Sequence, residues 1–228
     1  MPADKETYNR IAASLQSRNV TLVAVSKTKP VSDIQELYDA GQRDFGENYV
    51  QELVEKQESL PKDIRWHFIG HLQTNKVKAI APFVYLIHGV DSYKLLKEIN
   101  KQAARNQRTI PCLLQVHIAR EETKFGFNEE ELEELFVRHQ DLLNELEYAA
   151  ITGFMGMATF TDDPLVVRSE FQYLKNLFDK YKNIRQIDGK KFMTLSMGMS
   201  GDFEEAIADG STMVRIGSLL FGARDYIV

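Results

Sequence analysis

The sequence carries one cysteine, Cys112, in 228 residues. One thiol cannot form an internal disulfide, so a reducing compartment is expected. Its apolar setting, "PCLLQVHI", marks it as a packing residue rather than a reactive one. Long hydrophobic runs are missing too. None approaches the ~20 residues of a membrane span, and the polar N-terminus "MPADKETYNRIAASLQSRN" lacks the apolar stretch of a signal peptide. Nor is there an excess of positive charge: 28 Lys and Arg stand against 33 Asp and Glu, a net charge of -5. With no basic–aromatic stripe either, nucleic acid and membrane surfaces are unsupported as partners. No Walker loop, nucleophile elbow or dinucleotide-binding glycine motif is present. These absences lead to the expectation of a cytoplasmic protein.

What is present is a regular alternation. Apolar runs cover 20–27, 43–48, 64–70, 84–90, 110–118, 149–158, 191–200 and 211–218. Most are continuous rather than alternating, as strands buried on both faces read. Helical patterns lie between them. Ser32 and Gln35 suggest a capping box ahead of Ile34, Leu37 and Tyr38, with Gly41 as the stop. Leu95, Leu96, Ile99 and Ala103 form a stripe. Asn128 caps a helix whose apolar face runs from Leu132 to Leu146. Asp163-Pro164 reads as the start of a helix through Tyr181, and Thr74 or Asn75 as a cap after "WHFIGHLQTNK". Eight strand–helix units predict α/β architecture, a single (β/α)8 TIM barrel over 1–228, with an open doubly wound sheet as the alternative.

In such a barrel the chemistry sits where strands end at their C-terminal edges. The first run ends on Lys27. That lysine is either a snorkelling strand-end residue or an amine able to form a Schiff base; Lys29 reads as loop. In "SMGMSGDFEEAIADGSTMVRIGSLLFG" (196–222), Ser196, Gly198 and Ser200 share a face. Ser200-Gly201 and Gly217-Ser218 each open a helix, which together suit a phosphate. Arg215 is either a structural ion pair or a donor fork for a ligand. His67 and His71 lie on a strand, where i,i+4 spacing does not make a metal pair, and no metal site is expected. His88, His117 and His139 read as packing or surface residues.

Taken together, "AVSKTKP", "FGENYVQE", "WHFIGHLQTNK", "KFGF" and the 196–222 segment resemble the pyridoxal-phosphate homeostasis proteins, small relatives of the alanine racemase barrel domain. The resemblance runs from about Val20 to Arg224. It implies pyridoxal 5'-phosphate held on Lys27 as a Schiff base. Ser196, Ser200, Gly217 and Ser218 would surround the phosphate, and Arg215 would face the pyridine nitrogen. Asn48 and Met157 would line the ring, with His67 and His71 near the pocket. An arginine at the ring nitrogen only donates, which favours an unprotonated pyridine and a weak electron sink.

The resemblance further implies vitamin B6 homeostasis: a monomeric carrier that buffers the cofactor or delivers it to apo enzymes, rather than a catalyst. The alternative is an amino-acid racemase of low activity. The chain ends ten residues after Ser218, so the C-terminal β-domain of racemases is expected to be missing, and with it their second acid/base. Tyr226 is a poor substitute at a chain end. A cofactor-free lysine aldolase acting on a sugar phosphate is the third reading.

Overall fold

The computed structural model describes residues 3–121, 125–182 and 192–222. Eight strands form in chain order: β1 Thr21–Val25, β2 Asp44–Glu47, β3 Arg65–Phe68, β4 Leu86–Val90, β5 Ile110–Gln115, β6 Ala149–Met155, β7 Thr194–Ser196 and β8 Met213–Ile216. They close into one barrel in that order. Every neighbouring pair is parallel, including the closing β1–β8 pair. The strands are shorter than the apolar runs, because the ends of each run turn into the loops that carry the site.

The helices are α1 Lys5–Ser17, α2 Val31–Asp39, α3 Val50–Ser59, α4 Val77–Ile80, α5 Tyr93–Arg105, α6 Glu129–Glu133, α7 Gln140–Asn144, α8 Pro164–Tyr181, α9 Phe203–Ala208 and α10 Ser218–Phe221. The Asn128 cap forms in full, with Glu131 reciprocating, and Asp163 caps α8 with Pro164 in the first turn. The expected capping box at Ser32 does not form. Pro30 occupies the N-cap of α2, and Gln35 bonds Asp39 one turn on. Pro30 fixes the helix entry two residues before the Ser32 pattern can act. The expected continuous helix over 132–146 is broken by a π turn at Glu134–Arg138. Thr74–Lys76 forms a 3-10 turn with no side-chain cap. Two helices with polar sequences, α1 and α3, were not legible from apolar runs. The start of α1 is fixed by Asp4, whose carboxylate accepts from Thr7 N at 2.9 Å. Asp4 N in turn donates to Leu220 O at 2.8 Å, fastening α1 to α10.

Successive strand residues fall into different cores. Leu22, Ala24, Phe45, Phe68, Ile87 and Leu114 pack outward against the helices in the main cluster. Val23, Leu86, Leu113, Met155 and Met213 fill the barrel interior, with Met157 above them. Each large side chain buried this way contributes about 1.5–3 kcal/mol. On the β6–β7 side, Phe154 meets Phe192 edge-on at 5.1 Å and Phe192 stacks on Phe178 at 5.2 Å. Here Gly153 has φ +155°, and a Cβ on it would stand 1.7 Å from Thr194 O. The glycine allows the bulge that shifts the β5–β6 register between Cys112 and Leu113. Among the described residues no helix is long and apolar enough to cross a membrane.

Candidate functional site

The C-terminal ends of β1, β2, β3, β6, β7 and β8 surround a cavity of about 440 Å³. This lies within the roughly 300–1,000 Å³ of small-molecule pockets. Lys27, Asn48, Met157, Ser200, Arg215, Gly217 and Ser218 all line it, and so does Lys29 from the loop beyond. Val25 and Ile69 supply its apolar floor. The parity of β1 explains Lys27: Val23 faces the barrel interior, Val25 lines the cavity, and Lys27 continues the same face.

The flanks of Lys27 are fixed by a charged cluster outside the barrel. Ser26 Oγ donates to Glu47 Oε1 at 2.6 Å. Lys56 Nζ, on α3, donates to Ser26 O at 2.7 Å, Glu47 Oε1 at 2.7 Å and Glu52 Oε1 at 2.6 Å. Thr28 N donates to Glu52 Oε1 at 2.6 Å, and Thr28 itself adopts a left-handed φ of 65°. A non-glycine residue held there costs about 1–3 kcal/mol and needs a surrounding structure that imposes it. The backbone on either side of Lys27 is therefore tied to α3. Burial pushes the Glu47 carboxyl up to about 7 against the pull of Lys56 and Ser26. Its second oxygen has no hydrogen-bond partner.

Beside Lys27, at the ends of β7 and β8, the two expected turns meet. Gly217 N donates to Ser200 Oγ at 3.2 Å. The hydroxyl thus accepts from the protein and keeps its own proton to donate. Gly217 is the N-cap of α10, at whose start backbone N–H groups lack helical partners.

Arg215 reaches the cavity from below, 4% exposed. Its Nη1 donates to Ser196 O at 2.9 Å and Ser196 Oγ at 2.6 Å, and its Nη2 to Gly156 O at 3.0 Å. Burial lowers its pKa to about 10, with Asp202 opposing, so it remains cationic at neutral pH. Asn48 Oδ1 is a buried acceptor with no hydrogen-bond partner. A Cβ on Gly70 would lie 2.4 Å from Asn48 O, so only glycine lets the segment after β3 pass this close to the Asn48 backbone.

The structure does not bring every expected residue to the cavity. His67 is wholly buried inside the barrel, bonded to Asp44 and His88 rather than lining the pocket. Ser196 is equally buried and faces Arg215 and His88 instead of the phosphate turns. His71 is exposed, pairs with Asp91 at 2.9 Å and stacks on Phe125. Tyr226 lies outside the described residues. Among those described, no three His, Cys, Asp or Glu side chains are grouped to hold a metal.

Sequence reasoning missed Glu47, Glu52 and Lys56. The only linear signal was Glu47 at the end of the second apolar run; Lys56 lies within the polar sequence of α3. A second recess of about 450 Å³ adjoins the cavity. The two share Met157, Phe160, Met199 and Gly201, and Phe160 is 98% exposed.

A lysine, a pair of phosphate-suited turns, a buried cation and an unpartnered acceptor around one cavity fit a phosphorylated pyridine aldehyde. The family model for the alanine racemase N-terminal domain matches residues 3–225. The chain is 43% identical over 206 residues to the pyridoxal phosphate homeostasis protein of Aquifex aeolicus, covering 90% of this chain and 87% of that one. The structure of PipY from Synechococcus elongatus with pyridoxal phosphate bound is similar at a TM-score of 0.81 and 34% identity, covering 92% and 98% of the two chains. An alanine racemase from Bartonella henselae shares the fold at a TM-score of 0.68 and 16% identity. The match covers 96% of this chain and 59% of the racemase.

Proposed function

The chain belongs to the pyridoxal phosphate homeostasis proteins, within the alanine racemase N-terminal domain family, and from that premise we propose that residues 1–228 form one binding domain that holds pyridoxal 5'-phosphate as a Schiff base on Lys27 and buffers or delivers it. When bound, the cofactor supplies an aldehyde that condenses with an amine and loses water. The chain's own residues do the rest. Lys27 presents the amine from a loop whose flanks are pinned. Ser200, Gly217 and Ser218 donate to the phosphate. Arg215 donates to the ring nitrogen, and Asn48 and Met157 confine the ring.

The observation that carries this reading is the convergence of Lys27, Arg215 and the Ser200–Gly217 turn pair on one cavity. Apo enzymes are the recipients it implies; cytoplasmic location and a monomeric state are part of the proposal. One observation favours the racemase reading: Lys29 lines the same cavity as Lys27 and is a candidate second base. Two measurements separate the readings. Borohydride treatment of the yellow protein followed by peptide mapping should place the reduced adduct on Lys27; an adduct elsewhere, or none after added pyridoxal phosphate, overturns the site. Single-enantiomer amino acids should keep their optical purity, and turnover would favour the enzyme.

A further inference from the structure

Beneath the cavity, four residues from four different strands continue from Arg215 to the opposite mouth of the barrel. Ser196 Oγ lies 2.6 Å from Arg215 Nη1 and 3.3 Å from His88 Nδ1. His88 Nε2 lies 2.9 Å from His67 Nδ1. His67 Nε2 lies 3.0 Å from Asp44 Oδ1. Asp44 is paired with Arg65 through 2.5 and 2.7 Å contacts, at a polar well of about 380 Å³ on the N-terminal side. Ser196, His67 and His88 are completely buried.

We propose that Asp44, His67, His88 and Ser196 are positioning residues for Arg215, a one-way hydrogen-bond chain that orients its guanidinium and sets how strongly it donates into the cavity. The inference rests on the reading of Arg215 as the ring-nitrogen partner.

The direction follows from the two ends. A guanidinium has no acceptor, so Ser196 Oγ accepts from Arg215. The serine proton then goes to His88 Nδ1, its other polar neighbour. Burial holds the His88 pKa well below its ordinary value, with His67 and Arg215 adding to the effect, so the ring is neutral. A neutral imidazole that accepts at Nδ1 donates at Nε2. His67 therefore accepts at Nδ1 and donates at Nε2 to Asp44. That carboxylate stays ionised: burial favours the acid, but the Arg65 and His67 bonds outweigh it and hold its pKa down. Tyr85, whose ring is 5.5 Å from that of His67, and Arg65 are the other titratable or charged groups at this end.

All four bonds thus point from the cation to the anion, and each strengthens the next by polarisation. If His67 gained a proton, it would donate from both nitrogens. His88 would turn over, and Ser196 Oγ would have two donors and no acceptor for its own proton. The chain is complete in one orientation alone.

The first test needs no cofactor. In protein freed of ligand and labelled with ¹⁵N in histidine and arginine, ring-nitrogen NMR should show His67 and His88 as Nε2–H tautomers from pH 6 to 8. The Arg215 guanidinium protons should exchange slowly. In Ser196→Ala they should exchange about tenfold faster, the size expected for one lost charge-assisted bond; Ser196→Thr, which keeps the hydroxyl, should restore the slow rate. A ring protonated at Nδ1 at pH 7, or unchanged exchange in Ser196→Ala, overturns the chain. The second test uses protein loaded with pyridoxal phosphate. The pH titration of its absorption band should shift in Ser196→Ala and return in Ser196→Thr. An unshifted titration with the NMR results intact overturns the positioning role. Failure of the wild type to load would instead sink the cofactor reading and leave the NMR results to judge the chain.

Discussion

Lys27 and Arg215 line the same cavity but rest on opposite kinds of support. Beneath Lys27 lies a compact cluster of two carboxyl groups and an ammonium, outside the barrel, which grips the backbone of Ser26 and Thr28 on either side of the lysine. Beneath Arg215 lies a long chain of neutral rings and a hydroxyl, inside the barrel, which grips the side chain itself. The difference matches the two proposed tasks. An amine that forms and breaks a bond needs a fixed backbone beneath it. A donor that only orients a ring needs a fixed tip.

The comparison is broken most directly by removing the tip of the first. Lys27→Ala should abolish the borohydride-trapped adduct while circular dichroism and thermal unfolding stay close to wild type. An adduct that moves to Lys29 would show that the cavity, not the pinned loop, selects the amine. Next in size, Glu47→Ala leaves Lys56 buried with Glu52 as its remaining carboxylate partner. Loss of one partner from a buried pair costs about 3–5 kcal/mol, and Glu52 places the expected loss at the lower end of that range. Urea unfolding would measure it, and a cost near zero would mean that the cluster does not hold the loop. Smaller again, Ser200→Ala should weaken cofactor retention by about 1–3 kcal/mol, read by dialysis against an absorbance standard. An unchanged affinity would move the phosphate away from the paired turns.

A last effect, read against pH, sharpens the contrast between charged and neutral supports. The Glu47 carboxyl titrates near 7 in the fold against 4.5 when exposed. Its folded pKa is the higher one, so the folded state holds the proton more tightly. This contribution to stability is fully present below about 4.5 and is lost as pH rises through about 7. Comparing melting temperature against pH in wild type and Glu47→Gln should show that slope in the wild type alone. The neutral chain under Arg215 contains no such group at its centre, because burial keeps His88 uncharged.

These supports differ in how far the sequence revealed them. Lys27, the Ser200 and Gly217 turns and Arg215 were legible because each ends or interrupts an apolar run, and the barrel rule places such ends on one rim. Eight continuous runs likewise carried the closed parallel barrel. The chain of Asp44, His67, His88 and Ser196 was not legible. Its members are contributed by β2, β3, β4 and β7, and His88 and Ser196 are 108 positions apart. Only closure of the barrel brings them together. The family resemblance implies His67 near the pocket, on the strand that leads to its rim. The period-2 geometry does turn it inward, but one layer too deep to reach the cavity. Glu47 points to the other face of β2, where a linear reading sees only a strand ending. The helices α1 and α3 were missed for a related reason: their apolar residues are few, and tertiary contacts fix them.

The wall between the cavity and its neighbouring recess has a kinetic consequence. Phe160 and Met199 form much of it, and they are 98% and 37% exposed. Exposed side chains change rotamer in picoseconds to nanoseconds, so a partition built from them imposes no delay a molecule would notice. On the proposed function, how long a guest stays is then decided at Lys27, by the lifetime of a covalent bond to water, and a recipient that shortened that lifetime would control the clock.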